Sequence, residues 1–300
     1  MPYSKTTKLG FIGLGSMGSP MARNIIKSGL QTNIYDIEPS RCAALSSDNV
    51  LICSSPIDVA NRADIIFTCL PSLDAARSVV LDPANGILKG SQIKSIVSLG
   101  TTGSAYAKDV ASQLHANNIA FLDSPISGGP AGAKDATLAI MCSGDKATYE
   151  FLCVHVFPHM SAKQYYVGDE PGMAQVMKLV NNINLFIHLA GTLESLTLGE
   201  KAGLDPAQMI DVINASSGLS RSSQVFIPNN VLSGAFNFGA SNGILKKDLE
   251  LWAEEVKMYE SSDQVGKATQ LAFGEAIREH GIEADLTTIY KTLRRIASLK

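Results

Sequence analysis

An apolar run from Leu9 to Ile12 leads without a break into Gly13-Leu14-Gly15-Ser16-Met17-Gly18. A strand that meets three glycines at this spacing, with a helix opening behind them, has few folds available to it. The helix is expected from Met17 to Ser28, closed by Gly29. Gly13 permits the tight turn, Gly15 lets backbone approach a pyrophosphate, and Gly18 lets helix and strand pack closely. The unpaired N–H groups of the helix start then face the phosphates. A glycine-rich turn with no ligand is the competing reading, and the strand before and helix after weigh against it. A second strand, Thr32 to Tyr35, ends at Asp36, about twenty residues beyond the glycines. An acid there accepts hydrogen bonds from the ribose hydroxyls and repels a 2′-phosphate, which favours NAD over NADP. The same residue could instead cap the turn before Pro39, and Arg41 leaves room for a phosphate.

The alternation of strand and helix continues. Strands are expected over Val50 to Cys53, Ile65 to Leu70, Ile93 to Ser98, Ala120 to Leu122 and Leu138 to Cys142. Most of these are continuous apolar runs, which suits a parallel sheet covered on both faces. Ligands in such sheets sit at the carboxyl ends of strands. Three ends suit that role: Leu70-Pro71, Gly100-Thr101-Thr102, and Asp123-Ser124-Pro125-Ile126-Ser127-Gly128-Gly129. The serine and two glycines of the last can offer consecutive N–H groups to an anion such as a carboxylate, or form an ordinary tight turn.

Pro171 and Gly172 open a long helix, expected from about Met173 to about Ala202 and stopped by Gly203. At 1.5 Å per residue it would run roughly 45 Å, enough to cross a domain. Its stretch from Ile183 to Leu198 is apolar on nearly every face, which predicts burial on all sides. In its first turns Lys178 and Asn182 stand four residues apart and so on one face. A lysine just outside an apolar segment can be desolvated and serve as a proton carrier; it can also be a solvated helix-end lysine.

Composition narrows the partners. A net charge of −3 with no basic tract argues against nucleic acid. With 45% hydrophobic and 18% charged residues, and no apolar run of membrane-spanning length, a soluble protein is expected. The opening MPYSKTTK does not read as a signal peptide. The five cysteines, Cys42, Cys53, Cys69, Cys142 and Cys153, lack metal-binding spacing and imply thiols in the cytoplasm, with no metal site.

With these residues placed, the chain resembles the β-hydroxyacid dehydrogenase family, related to 3-hydroxyisobutyrate dehydrogenase. Four motifs carry the resemblance, in order and over essentially the whole length. They are Gly13 to Gly18 with Met21-Ala22-Arg23-Asn24, then Asp123 to Gly129, then Gly172 through Lys178 to Asn181-Asn182, and last Lys247-Asp248-Leu249. The resemblance implies that Lys178 is the catalytic lysine, that Asn182 is its companion on the substrate, and that Ser127, Gly128 and Gly129 cradle the carboxylate. It also implies that Gly13, Leu14, Gly15, Ser16, Met17, Gly18 and Asp36 hold the cofactor. Leu70, Pro71 and Thr101 would touch its nicotinamide half, and Lys247 would close over it. One departure is Ser98-Leu99-Gly100-Thr101, where the family usually shows Asp-Met-Ser-Thr.

From Gly203 onward strand signals stop. Helices are expected from Asp205-Pro206 to about Ala215, and over Ser222 to Leu232, Ile244 to Tyr259, Asp263 to His280 and Leu286 to Ala297. Between the first two lies the polar loop Ser216 to Ser222, in which Arg221 is a candidate for a second anionic group. The expected architecture is an α/β Rossmann dinucleotide-binding domain, residues 1–169, then an all-α domain for substrate and dimerisation, residues 170–300. A long interdomain helix joins them. The expected function is hydride transfer between NAD, with NADP second, and the hydroxyl-bearing carbon of a small 3-hydroxy acid, in a homodimer or homotetramer. An imine reductase-like enzyme and a non-catalytic NAD(P)-binding protein of the same fold are the alternatives, and Lys178 argues against both.

Overall fold

The computed structural model describes residues 3, 4 and 6–299; Met1, Pro2 and Lys5 of the opening segment, and Lys300, lie outside the described residues. By compactness the chain divides into two units, one ending at Lys178 and the other beginning at Leu179.

The first unit alternates strand and helix. Its strands are β1 (Leu9–Ile12), β2 (Thr32–Tyr35), β3 (Val50–Ile52), β4 (Ile65–Thr68), β5 (Ser95–Ser98), β6 (Ala120–Asp123), β7 (Ile126–Ser127), β8 (Leu138–Gly144) and β9 (Ser161–Gly168). Between them run α1 (Gly18–Lys27), α2 (Pro39–Ala43), α3 (Pro56–Ala60), α4 (Leu73–Leu81), α5 (Ser104–His115), α6 (Gly129–Lys134) and α7 (Lys146–His155). The strands make one sheet in the order β3-β2-β1-β4-β5-β6-β8-β7, with β9 beside β8. The chain winds outward from β1 in one direction as far as β3, then returns to lay β4 on its other side. That reversal opens a crevice at the carboxyl ends of β1 and β4, where sheets of this kind take ligands.

Alternate residues of each central strand enter opposite cores, as the two-residue period of a strand requires. Phe11, Phe67, Val97 and Leu122 pack in one cluster. Ile12, Ile66, Ile96 and Phe121 pack in the other. This two-sided burial explains why the strands read as unbroken apolar runs. The edge strand β3 differs, with Leu51 and Ile52 exposed. The sheet is also not wholly parallel: β8 runs antiparallel to both β6 and β7. β7 and α6 stand between β6 and β8, and β8 folds back along β7 as its antiparallel partner, which sets its direction beside β6 as well. Strand β9 has no counterpart among the expected strands, because Lys163 and Gln164 of this edge strand break its apolar pattern.

Helix α8 (Met173–Lys201) carries the chain from the first unit into the second. The second unit continues with α9 (Pro206–Asn214), a π-helix (Ser222–Leu232), α10 (Asn242–Met258), α11 (Gln264–His280) and α12 (Ile289–Ile296). Wide π winding accommodates Pro228, which has no N–H to donate. The helical core gathers Ile183, Phe186, Leu189, Leu193, Ile227, Leu249 and Phe273, among others. The expected all-round burial of α8 is not found. Asn184, His188, Gly191 and Ser195 are exposed, and Leu198 is 74% exposed. Residues at these spacings share one face, and the core packs against the opposite one. Among the described residues no helix is long and apolar enough to cross a membrane.

Candidate active site

The glycine turn after β1 is built with no room to spare at two of its glycines. Gly13 has φ +94°, and a Cβ there would lie 2.3 Å from the Cys69 carbonyl oxygen at the end of β4. A Cβ on Gly18 would lie 1.9 Å from the Gly13 oxygen. Gly15 is different: the nearest atom to a Cβ there is Arg41 Nη1, 3.9 Å away. Helix α1 then starts with no side-chain cap on its N–H groups. An open glycine beside an uncapped helix start, at the sheet's reversal point, fits a dinucleotide's pyrophosphate.

Asp36, at the end of β2, is 7% exposed. Its Oδ2 accepts from the Leu14 N–H at 2.6 Å, and its Oδ1 accepts from the Glu38 N–H at 2.9 Å. The second bond is the turn-capping role open to this residue; the first ties it to the glycine turn. Arg41 Nη1 lies 3.6 Å from Oδ1, and Arg41 also pairs with Glu38 at 2.7 Å. The carboxylate is therefore rigidly held with its negative charge next to the loop.

The other expected cofactor and substrate positions of this unit follow successive strands. Leu70 and Pro71 come after β4 and Thr101 after β5, while Ser127 ends the short β7 that follows β6, with Gly128 and Gly129 leading from it into α6. Gly128 has φ +133° and Gly129 φ +64°, so the backbone turns sharply where α6 begins. Only glycine enters the first of these conformations without strain.

Sequence reasoning missed the residue that ties these strand ends together. Gln175, in the first turn of α8, is fully buried at 0% exposure. Its Oε1 accepts from the N–H groups of Thr102 at 2.8 Å and Gly103 at 3.1 Å. Its Nε2 donates to the Gly100 carbonyl at 3.0 Å and to Asp123 Oδ1 at 2.6 Å. The backbone N–H of Gln175 donates to Asp123 Oδ2 at 3.2 Å, and that of Ala174 donates to Ser143 Oγ at 2.9 Å. Side chains from β6 and β8 thus satisfy N–H groups that a helix start leaves unpaired. One turn further along, Lys178 is 8% exposed.

In the helical unit, Asn182 and Lys247 meet through a third residue. Asn182 Nδ2 donates to Asp248 Oδ2 at 2.7 Å. Lys247 Nζ lies 2.9 Å from Asp248 Oδ1, an ion pair whose angles fall short of a hydrogen bond. The motif that contains Asp248 gives it no role; its 5% exposure, invisible in sequence, gives it one. Arg221 heads the π-helix and lies over the Phe226 ring, 6.0 Å from its centroid.

Burial pushes the thiols of Cys69 and Cys142 up to about 12, so neither is a thiolate near neutrality. Among the described residues no three His, Cys, Asp or Glu side chains are grouped to hold a metal ion.

Comparison with known proteins agrees with this geometry. Residues 8–168 match the NAD binding domain of 6-phosphogluconate dehydrogenase, and residues 172–293 match the family described as NAD-binding of NADP-dependent 3-hydroxyisobutyrate dehydrogenase. The 2-(hydroxymethyl)glutarate dehydrogenase of Eubacterium barkeri is 34% identical over 84% of this chain and 83% of its own length. The human mitochondrial 3-hydroxyisobutyrate dehydrogenase is 31% identical over 96% of this chain and 87% of its own. A 3-hydroxyisobutyrate dehydrogenase structure from Mycobacterium tuberculosis, solved with L-serine, superposes with a TM-score of 0.85. It is 27% identical and covers 96% of this chain and 99% of its own. With the two matches together running from residue 8 to residue 293, and a relative 31% identical over nearly the whole chain, the chain belongs to the β-hydroxyacid dehydrogenase family of NAD(P)-dependent oxidoreductases.

Proposed function

We propose that this enzyme oxidises a small 3-hydroxy acid with NAD, or reduces the matching semialdehyde, with Lys178 as general acid and base. The bound nicotinamide supplies the hydride acceptor or donor. Every other part falls to the chain's own residues. In oxidation the neutral Lys178 amine takes the hydroxyl proton as the adjoining C–H bond gives up its hydride; in reduction the ammonium returns that proton to the carbonyl oxygen. Asn182 and the turn at Ser127, Gly128 and Gly129 hold the acid's polar groups, so that the reacting carbon meets one geometry. Gly13 to Gly18 and Asp36 hold the dinucleotide, Leu70, Pro71 and Thr101 flank its reactive half, and Lys247 closes over it.

The observation that carries this reading is the burial of Lys178, at 8% exposure, one helical turn from Asn182 and one turn from the Gln175 anchor. A lysine withdrawn from bulk water at the start of a long helix, on one face with Asn182, is placed to exchange a proton with a bound substrate. It also separates this reading from imine reduction and from simple nucleotide binding, neither of which calls for such a lysine. The Asp36 charge supports NAD over NADP. In this reading residues 1–169 serve the cofactor, and residues 170–300 serve the substrate and the contacts of a homodimer or homotetramer in the cytoplasm. The exposed Leu198 and Leu271 of the helical unit support such contacts.

The test is a panel of 3-hydroxyisobutyrate, glycerate, L-threonate and 2-(hydroxymethyl)glutarate, each followed by absorbance of the reduced nicotinamide with NAD and then NADP. Turnover of at least one acid with NAD is expected. No reduction of either cofactor by any of the four, in protein shown to bind NADH, would overturn the proposal.

A further inference from the structure

We infer that Gln175 is a positioning residue for catalysis: its buried carboxamide sets the place of Lys178 against the ends of β5 and β6. This rests on the reading of Lys178 as the proton carrier, and it adds a residue to which that reading gives no task.

Three features of the first unit lead here. The carboxamide uses both of its ends twice, accepting from Thr102 and Gly103 and donating to Gly100 and Asp123. Of the genetically encoded side chains of this length, only glutamine offers two acceptor sites and two donors at once; glutamate lacks the donors when ionised, and methionine has no donor and only a weakly accepting sulfur. Asp123 is itself fully buried and takes two bonds from this one residue, at the side chain and at the backbone N–H. Finally, Gly172 lets the helix start come close to α5: a Cβ there would lie 2.9 Å from the Ser104 Cβ.

Together these fix the origin of α8 on the strand ends, by contacts far apart in sequence. Lys178 follows Gln175 by three residues, which places the two as neighbours on the helix surface. The same carboxamide holds Gly100 to Gly103, the loop that contains Thr101, and the end of the strand that leads to Ser127. One side chain therefore keeps the proton carrier, the nicotinamide-side loop and the anion-side strand in a common frame. Misplacing a catalytic group by about 1 Å can cost on the order of a hundredfold in rate, so the frame matters to turnover more than to binding.

The experiment moves the carboxylate across the pair. Gln175→Glu, Asp123→Asn, the double variant, Gln175→Met and Lys178→Ala are compared in the full chain, using the panel acid that turns over fastest. Turnover, KM and NADH affinity by fluorescence titration are measured together with thermal melting. In Gln175→Glu two carboxyl groups face each other where a donor and an acceptor now meet, and kcat should fall roughly tenfold to a hundredfold. NADH affinity should stay within about twofold, because the glycine turn is untouched. In the double variant the amide introduced at position 123 can donate to the carboxylate introduced at position 175, and kcat should recover at least about threefold over either single variant. Carbonyl reduction by Gln175→Glu should also gain a limb that rises as pH falls, since the carboxyl group regains a donor when protonated.

Unchanged kcat in folded Gln175→Glu and Gln175→Met, beside a crippled Lys178→Ala, would overturn the inference and leave the lysine reading standing. So would a double variant no better than the worse single one. A Gln175→Met protein that melts early and loses NADH binding along with turnover would overturn it too, marking the residue as a fold staple only. Near-normal turnover in Lys178→Ala would instead bring down the lysine reading, and the inference with it.

Discussion

Asn182 donates its amide to Asp248 Oδ2 at 2.7 Å, across 66 positions of sequence. Asn181 in turn donates to Asn182 Oδ1 at 3.1 Å. With Nδ2 turned to the carboxylate, the Asn182 amide is held in one orientation, its Oδ1 and remaining N–H fixed in direction. The same carboxylate sits beside the Lys247 ammonium. Residues from α8 and α10, both singled out from the sequence for separate tasks, are thus governed by one buried acid.

Replacing Asp248 by alanine should disturb both at once. It leaves a buried amide without its acceptor and an ammonium without this counter-charge, a loss of about 1–3 kcal/mol in stability. The KM for the acid and that for NAD should both rise, through Asn182 and Lys247 respectively. Thermal unfolding and steady-state kinetics check the two parts; an unaltered KM for the acid would free Asn182 from its assigned role.

For Lys178, the expected loss in Lys178→Ala is about a hundredfold or more in turnover, the usual worth of general acid–base catalysis. NAD affinity should change little. Lys178→Arg should rescue poorly, because a guanidinium does not give up its proton near neutral pH. The pH profile of oxidation should need a deprotonated group, and that limb should shift or vanish in the alanine variant. Near-normal turnover in folded Lys178→Ala is the result that would refute it.

Cofactor choice should turn on Asp36. The unmodified enzyme is expected to prefer NAD, and Asp36→Ala should narrow the ratio of kcat/KM for NAD over NADP by about tenfold. Two effects act in the same direction: the charge that repels a 2′-phosphate is lost, and Arg41 is released from its 3.6 Å pairing. Absolute affinity for NAD should also fall, since the Leu14 and Glu38 N–H groups lose their acceptor. Equal efficiency with both cofactors before mutation would remove Asp36 from this role.

Acid sensitivity should trace in part to Asp64. Burial alone would raise its pKa, but the Lys8 N–H, the Lys94 ammonium and the Gln92 amide together hold it below the ordinary carboxylate value. Lys94 Nζ stands 2.9 Å away. A depressed carboxylate contributes stability that is present above its unfolded pKa, about 4, and is lost as pH falls through the folded value. Asp64→Asn should therefore cost about 1–2 kcal/mol at neutral pH and almost nothing well below pH 4. Denaturant melts at the two pH values measure it, and an equal cost at both would exclude a titrating role.

By itself the sequence determined what is periodic and local. The glycines at 13, 15 and 18 announce a turn that other residues cannot make, and the structure has Cβ positions at 13 and 18 in collision with backbone. Continuous apolar strands announced a sheet covered on both sides, because two-sided burial removes alternation. Pro171, Gly172 and Gly203 bracketed α8 to within a residue, since helix ends are chosen by local backbone preferences. Tertiary structure decided the rest. The antiparallel β8, the edge strand β9 and the exposed face of α8 depend on which neighbours each element finds. Gln175, Asp123 and Asp248 carry no periodic signal of their own. Their importance comes from being polar, buried and matched to partners as many as 75 positions away, and a hydrogen bond of that reach leaves no mark on the sequence near it.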